Sequence, residues 1–167
     1  YSWKNHSLEW GWRIDLKRLD TTLFSSGAEF LVLSKLLLSN IESYKAYENQ
    51  EGYDLISVNI ENNLRATIQV KSKNFKNDSS FYLNSDNKRK SDFYVFAQTN
   101  SIKKVNGDYI LVPDSESLPL LYVIDTKTVE KYRSVRNTGP YLLLSSIPDK
   151  EQYLDNWNQI KYFLEID

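Results

Sequence analysis

From Tyr53 to Lys73 apolar and polar residues alternate as two short strands would, Tyr53 to Ile60 and Leu64 to Lys71, around the polar Glu61-Asn62-Asn63. Side chains of a strand alternate faces, so Gln69, Lys71 and Lys73 leave one face together. Asn tolerates the positive φ of tight turns, which predicts a hairpin. If Asn62 and Asn63 form a two-residue loop, Glu61 faces Leu64. Asp54 then lies opposite Lys71 and Ile56 opposite Gln69, so a carboxylate, an amide and an ammonium converge at the open end.

Other elements follow from the same pattern. Ser26 to Asn40 reads as a helix: Ser26 and Glu29 have the S-x-x-E spacing of a capping box, and a Leu-rich run follows, apolar on more than one face. Tyr44 to Tyr47 is a short edge strand. Asn74 to Lys90 is polar and reads as a loop, with or without a short helix. Asp92 to Gln98 is nearly continuous in apolar and aromatic residues, which suits a strand buried on both faces. Tyr109 to Val112 and Leu120 to Asp125 are further strands, Thr128 to Arg133 a short helix, and Asn137 to Pro140 a loop. A last helix starts near Asp149, with Tyr153, Trp157, Ile160 and Leu164 as its buried stripe. Strands and helices in this order make a mixed α/β domain around one sheet.

Composition narrows the chemistry. A chain of 167 residues, 41% hydrophobic and 26% charged, is long enough for one domain with its own core. The N-terminal stretch, Tyr1 to Leu23, is an arm or short helix rich in Trp and charge, unlike a secretory signal. No apolar run is expected to reach the length of a membrane span, the longest lying around Phe30 to Leu38. With no Cys, disulfides, zinc–thiolate sites, iron–sulfur clusters and Cys nucleophiles are excluded. A cytoplasmic location is the expectation. Methionine is absent even at position 1, as in a fragment or a processed form.

Net charge is −1, which argues against a uniformly basic surface, but the charge is uneven. Arg65 to Lys90 holds seven Lys/Arg against Asp78 and Asp86, whereas Asp149 to Asp167 holds five acids against Lys150 and Lys161. A local basic face can hold a phosphate backbone on a near-neutral protein. Lys88-Arg89-Lys90 alone reads equally as a solvated loop. The single histidine, His6, lies in the arm, which disfavours His–metal motifs and general-base chemistry by His. Trp3, Trp10 and Trp12 read as packing residues.

Glu29, Asp54, Gln69 and Lys71 remain as a candidate constellation. Glu29 can close a capping box with Ser26, yet it shares a face with Leu33, Leu36 and Leu37, and an inward acid needs a partner. Asp54 and Lys71 can form a cross-strand ion pair and nothing more. Together, however, the four resemble the site of the PD-(D/E)XK nuclease superfamily, in its Gln-x-Lys variant. That resemblance rests on Asp54-x14-Gln69-x-Lys71 in hairpin strands, after a Glu-bearing helix and before an apolar strand. It covers about Ser25 to Gln98, with 1–24 as an arm and 99–167 as additional strands and a C-terminal helix. Tyr53 replaces the superfamily's usual proline, and Gln69 stands where Asp or Glu is usual.

The resemblance implies a restriction-endonuclease-like core, an α/β fold with a central mixed β-sheet flanked by helices. It implies a Mg²⁺-dependent endonuclease acting on DNA, with Mn²⁺ as a substitute ion, Asp54 as principal ligand, and Glu29 and Gln69 completing the metal's shell. Lys71 would orient or deprotonate the attacking water. Lys73, Lys76, Lys88, Arg89 and Lys90 would hold the nucleic acid, and a homodimer is expected by analogy. Two rivals stand beside this reading: a non-catalytic nucleic-acid-binding module on the same fold, and a structural domain in which Asp54 and Lys71 are an ordinary salt bridge.

Overall fold

The computed structural model describes residues 21–47, 52–75, 80–83, 91–106, 108–112 and 118–167. His6, the three arm tryptophans, Lys76, Lys88, Arg89 and Lys90 lie outside the described residues.

Helix α1 covers Thr21–Leu38. Ser26 and Glu29 are thus inside the helix rather than at its start, and the expected capping box is not formed. The end is sharply defined. Asn40 takes a left-handed φ of 60°, Asn40 N–H donates to Leu37 and Ile41 N–H to Leu36, both at 3.0 Å. This is a Schellman closure, in which Asn tolerates the conformation that ends the helix. It also buries Ile41 against Leu36, both at 0% exposure. Only Ala28, Val32 and Leu36 of α1 are fully buried, a narrower stripe than its composition suggests. Contrary to expectation, α1 has the length and mean hydropathy of a membrane span. Here it lays one stripe on the sheet and leaves Leu23, Phe30, Leu37 and Leu38 exposed.

The central sheet has six strands: β1 (Ser43–Lys45), β2 (Leu55–Asn59), β3 (Leu64–Phe75), β5 (Phe93–Val105) and β6 (Asp108–Leu111) in that spatial order, with β7 (Leu120–Asp125) also pairing β5. β3 and β5 run parallel and the other neighbours antiparallel, so the sheet is mixed. β4 (Ser80–Tyr82), β8 (Ser134–Arg136) and β9 (Gly139–Leu143) form a second, three-stranded sheet. The expected loop at 137–140 shrinks to the two-residue turn 137–138 of the β8–β9 hairpin, with Gly139, at φ 115°, and Pro140 opening β9.

Alternation along β5 and β7 builds a core on each face. Phe93, Val95, Ala97, Leu121 and Val123 meet α1 and the C-terminal helix α3 (Asn158–Phe163). Phe96, Tyr122 and Ile124 meet Phe81 and Leu142 of the second sheet and Val129 of α2 (Thr126–Tyr132). Strand β5 is buried on both faces, as its composition predicts. Burying each such large side chain contributes about 1.5–3 kcal/mol.

The C-terminal segment departs from expectation. A 3₁₀ turn at Lys150–Tyr153 is separated from α3 by Asp155 at φ 49°, whose N–H donates to Leu121 at 2.8 Å. Trp157, Ile160 and Leu164 join the α1-side core, while Tyr153 packs against the opposite one. One stripe in sequence thus serves two faces of the sheet.

Candidate active site

The β2–β3 turn fixes the register. Asn59 pairs with Leu64, leaving the four-residue loop Ile60–Asn63. Asn59 Oδ1 accepts from the N–H groups of Glu61 (3.1 Å) and Asn62 (3.4 Å), and Asn63 takes φ 51°. Asn is suited to both tasks, as acceptor to its own chain and as left-handed residue. The two-residue loop expected from sequence is thereby replaced. Leu55 faces Ile68 and Ile56 faces Thr67, so Asp54 is not opposite Lys71 and Ile56 is not opposite Gln69. The difference is two residues, and an even slip keeps every side chain on its expected face.

At the far end of this ladder β2 stops while β3 runs on. Asp54 N–H donates to Ile68 C=O at 2.9 Å although Leu55 is the residue paired with Ile68. This bulge-like offset turns the Asp54 side chain toward β3. There Oδ2 accepts two 2.7 Å bonds, from Val70 N–H and from Gln69 Nε2. The carboxylate thus occupies the place of the next ladder partner. A strand residue presents N–H and C=O to the same edge, so the Val70 carbonyl shares this edge.

Gln69 and Lys71 pair with Tyr94 and Phe96 of β5 and so emerge on that face of the sheet, with Lys73 beside Gln98. Gln69 is buried, and Lys71 and Lys73 are half-buried. Burial pushes the Asp54 carboxyl above its ordinary value. The Val70 hydrogen bond works against this, the Glu29 charge adds to it, and Lys71 and Gln69 oppose it. Burial pushes the Lys71 ammonium below its ordinary value, against the pull of Asp54. Both groups are held where charge is costly, as catalytic groups commonly are.

Glu29 sits on the flank of α1, half-buried, where its charge reaches Asp54. Its carboxylate meets Lys45 Nζ of β1 at 3.1 Å. Lys45 was not singled out from sequence. Its partner lies on another element, and no local spacing signals the pair. The structure thus brings Gln69 and Lys71 to Asp54 at the fork between β2 and β3, and Glu29 reaches Asp54 through its charge from the α1 face of the sheet. Among the described residues no cluster of three His, Cys, Asp or Glu exists, so any metal here would complete its shell from amide, carbonyl or water oxygens.

A separate cleft of about 790 Å³ lies at the other end of β2, by Val58 and Ile60. Glu42, Glu61, Glu165 and Asp167 line it, a charge that repels phosphate.

No family model matches this chain, and no curated protein matches it. Its structure does resemble that of I-Ssp6803I, a bacterial homing endonuclease, with a TM-score of 0.56 and 19% sequence identity over 87% of this chain and 92% of the other. The two share a fold: a mixed central sheet flanked by helices, consistent with a nuclease-like architecture.

Proposed function

We propose that this protein is a metal-dependent endonuclease that hydrolyses phosphodiester bonds in DNA, a Gln-x-Lys member of the PD-(D/E)XK superfamily. The observation that carries the reading is the fork at which Asp54 is pinned by Val70 N–H and Gln69 Nε2 while Glu29 and Lys71 bear on it. Its fold likeness to a homing endonuclease supports the same reading.

The donor set fits Mg²⁺. Asp54 and Glu29 supply carboxylate oxygens, and Gln69, donating through Nε2, keeps Oε1 as its acceptor end. Hard oxygen donors of this kind, few in number and completed by water, suit Mg²⁺. Bound there, the ion would supply positive charge to the scissile phosphate and ease ionisation of the attacking water.

The chain's own groups do the rest. Two N–H donors fix the Asp54 carboxylate, so its position costs no reorganisation during reaction. Lys71, with its proton loosened by burial, orients the water, takes or shares its proton, and neutralises charge growing on the phosphate. Lys73, two residues along the same face of β3, meets a neighbouring phosphate. Lys76, Lys88, Arg89 and Lys90 would extend that contact. Cutting both strands of a duplex calls for two such sites, hence a homodimer.

A second reading, a nucleic-acid-binding module without catalysis, is favoured by the neutral amide of Gln69 where a carboxylate would hold the cation more tightly. Purified protein incubated with supercoiled plasmid and branched DNA in Mg²⁺, Mn²⁺ or EDTA separates the two. Metal-dependent nicking is expected. DNA binding without nicking would favour the module.

A further inference from the structure

Lys45 carries an unassigned role. It lies on the edge strand β1 and pairs with Leu55, while the next residue, Ala46, donates its N–H to the Asp54 carbonyl at 2.8 Å. The ladder therefore fixes Lys45 beside the fork, on the α1 side of the sheet. Its Nζ lies 3.1 Å from Glu29 Oε2 and 4.8 Å from the centroid of the Phe30 ring. The Glu29 side chain is only 19% exposed and the Lys45 side chain 37%. Glu29 and Asp54 are two acids within reach of each other's charge, and such a pair calls for a counter-ion.

We propose that Lys45 is the built-in counter-ion of the candidate metal site, neutralising Glu29 until a divalent cation claims that carboxylate, and thereby weakening the site's hold on the cation. The inference rests on the metal-site reading above and adds a residue that tunes it. A cation shared by Asp54 and Glu29 would sit close to the Lys45 ammonium, and the two positive charges repel. The exposed ring of Phe30 offers that ammonium a second resting place on release. Competition of this kind makes Lys45 a positioning residue: it touches neither substrate nor reacting atoms.

The test is calorimetric titration of the intact protein with Ca²⁺ and with Mn²⁺, with no nucleic acid present. Lys45→Met keeps an apolar stem over Phe30 and removes the charge. Its dissociation constant for the cation should fall about five- to tenfold, within the range of ordinary site-to-site couplings. In Glu29→Gln the same second substitution should change the constant by clearly less, because the contested carboxylate is gone and only the repulsion between the two positive charges is left to relieve. Lys45→Gln serves as the second variant should Lys45→Met fail to fold, with the same expectation. A wild-type protein that binds neither cation overturns the metal site itself, and this inference with it. A wild-type protein that binds, with unchanged or weaker binding in the Lys45 variants, overturns the inference alone.

Discussion

Asp54 and Asp92 occupy the same kind of place in different company. Each immediately precedes a strand of the central sheet, and each uses one carboxylate oxygen to accept two 2.7 Å bonds from β3. Asp92 Oδ2 accepts from Thr67 N–H and Thr67 Oγ1; Asp54 Oδ2 accepts from Val70 N–H and Gln69 Nε2. Around Asp92 the partners are hydroxyl and main chain. Asp92 N–H donates back to Thr67 C=O, and Thr126 N–H donates to Asp92 C=O. This clasp ties β3 to the starts of β5 and α2. Around Asp54 the neighbours are a second acid and a lysine whose charge burial disfavours. On the proposed function, a matching pair of hydrogen bonds does not separate a structural carboxylate from a reactive one, whereas the ionisable company does.

The largest effect expected from this contrast is on cleavage. Asp54→Asn and Lys71→Ala should each lower the single-turnover rate about 10²–10⁴-fold, the usual cost of losing a proton-transfer or charge-stabilising group, with DNA affinity in EDTA retained. Asp92→Ala should do the reverse. It strands Thr67 N–H and its hydroxyl, costing about 1–3 kcal/mol in chemical denaturation, while cleavage well below the melting temperature stays at the wild-type rate. A smaller loss, about 1 kcal/mol, is expected for Asn59→Ala, which removes the acceptor of two turn amides and a donor to Leu164 C=O at 2.8 Å.

The smallest effect is a pH dependence of the cation-free protein. Asp54 has its folded value raised above the ordinary 3.8, so the folded chain holds that proton more tightly. Its contribution to stability is greatest below 3.8 and falls as pH rises through the folded value. Lys71 is lowered from 10.5, so the unfolded chain holds its proton more tightly, and stability recovers as pH climbs from the folded value toward 10.5. Melting curves from pH 3 to 10.5 should show Asp54→Asn flattening the acid limb and Lys71→Met the alkaline one. At pH 7 each variant should melt slightly above wild type, by about 2–4 °C for every kcal/mol relieved.

Much of this arrangement is legible in the sequence, for identifiable reasons. Strand periodicity is strictly two, so the face shared by Gln69, Lys71 and Lys73 survives the misjudged turn. The register does not, because it depends on a side chain, Asn59, closing the loop from outside it. The start of α1 is misread because S-x-x-E inside a helix looks the same as S-x-x-E at its cap. The C-terminal stripe is broken at Asp155, whose left-handed backbone is held by a bond to β7 far away in sequence. The β8–β9 hairpin hides because Gly139 and Pro140, which read as loop, are the opening residues of β9 and pair with Arg136 and Val135. Lys45 has no sequence signal at all, since its pairing with Glu29 exists only once β1 and α1 are packed.

On the proposed function, the fork at Asp54 cuts phosphodiester bonds while the clasp at Asp92 only holds the sheet together. This reading is tested most directly by single-turnover nicking of supercoiled plasmid in Mg²⁺ by wild type, Asp54→Asn, Lys71→Ala and Asp92→Ala side by side, each shown folded at the assay temperature. Nicking by wild type and Asp92→Ala is expected, with its loss in the other two. Nicking by Asp54→Asn and Lys71→Ala at the wild-type rate would contradict the reading.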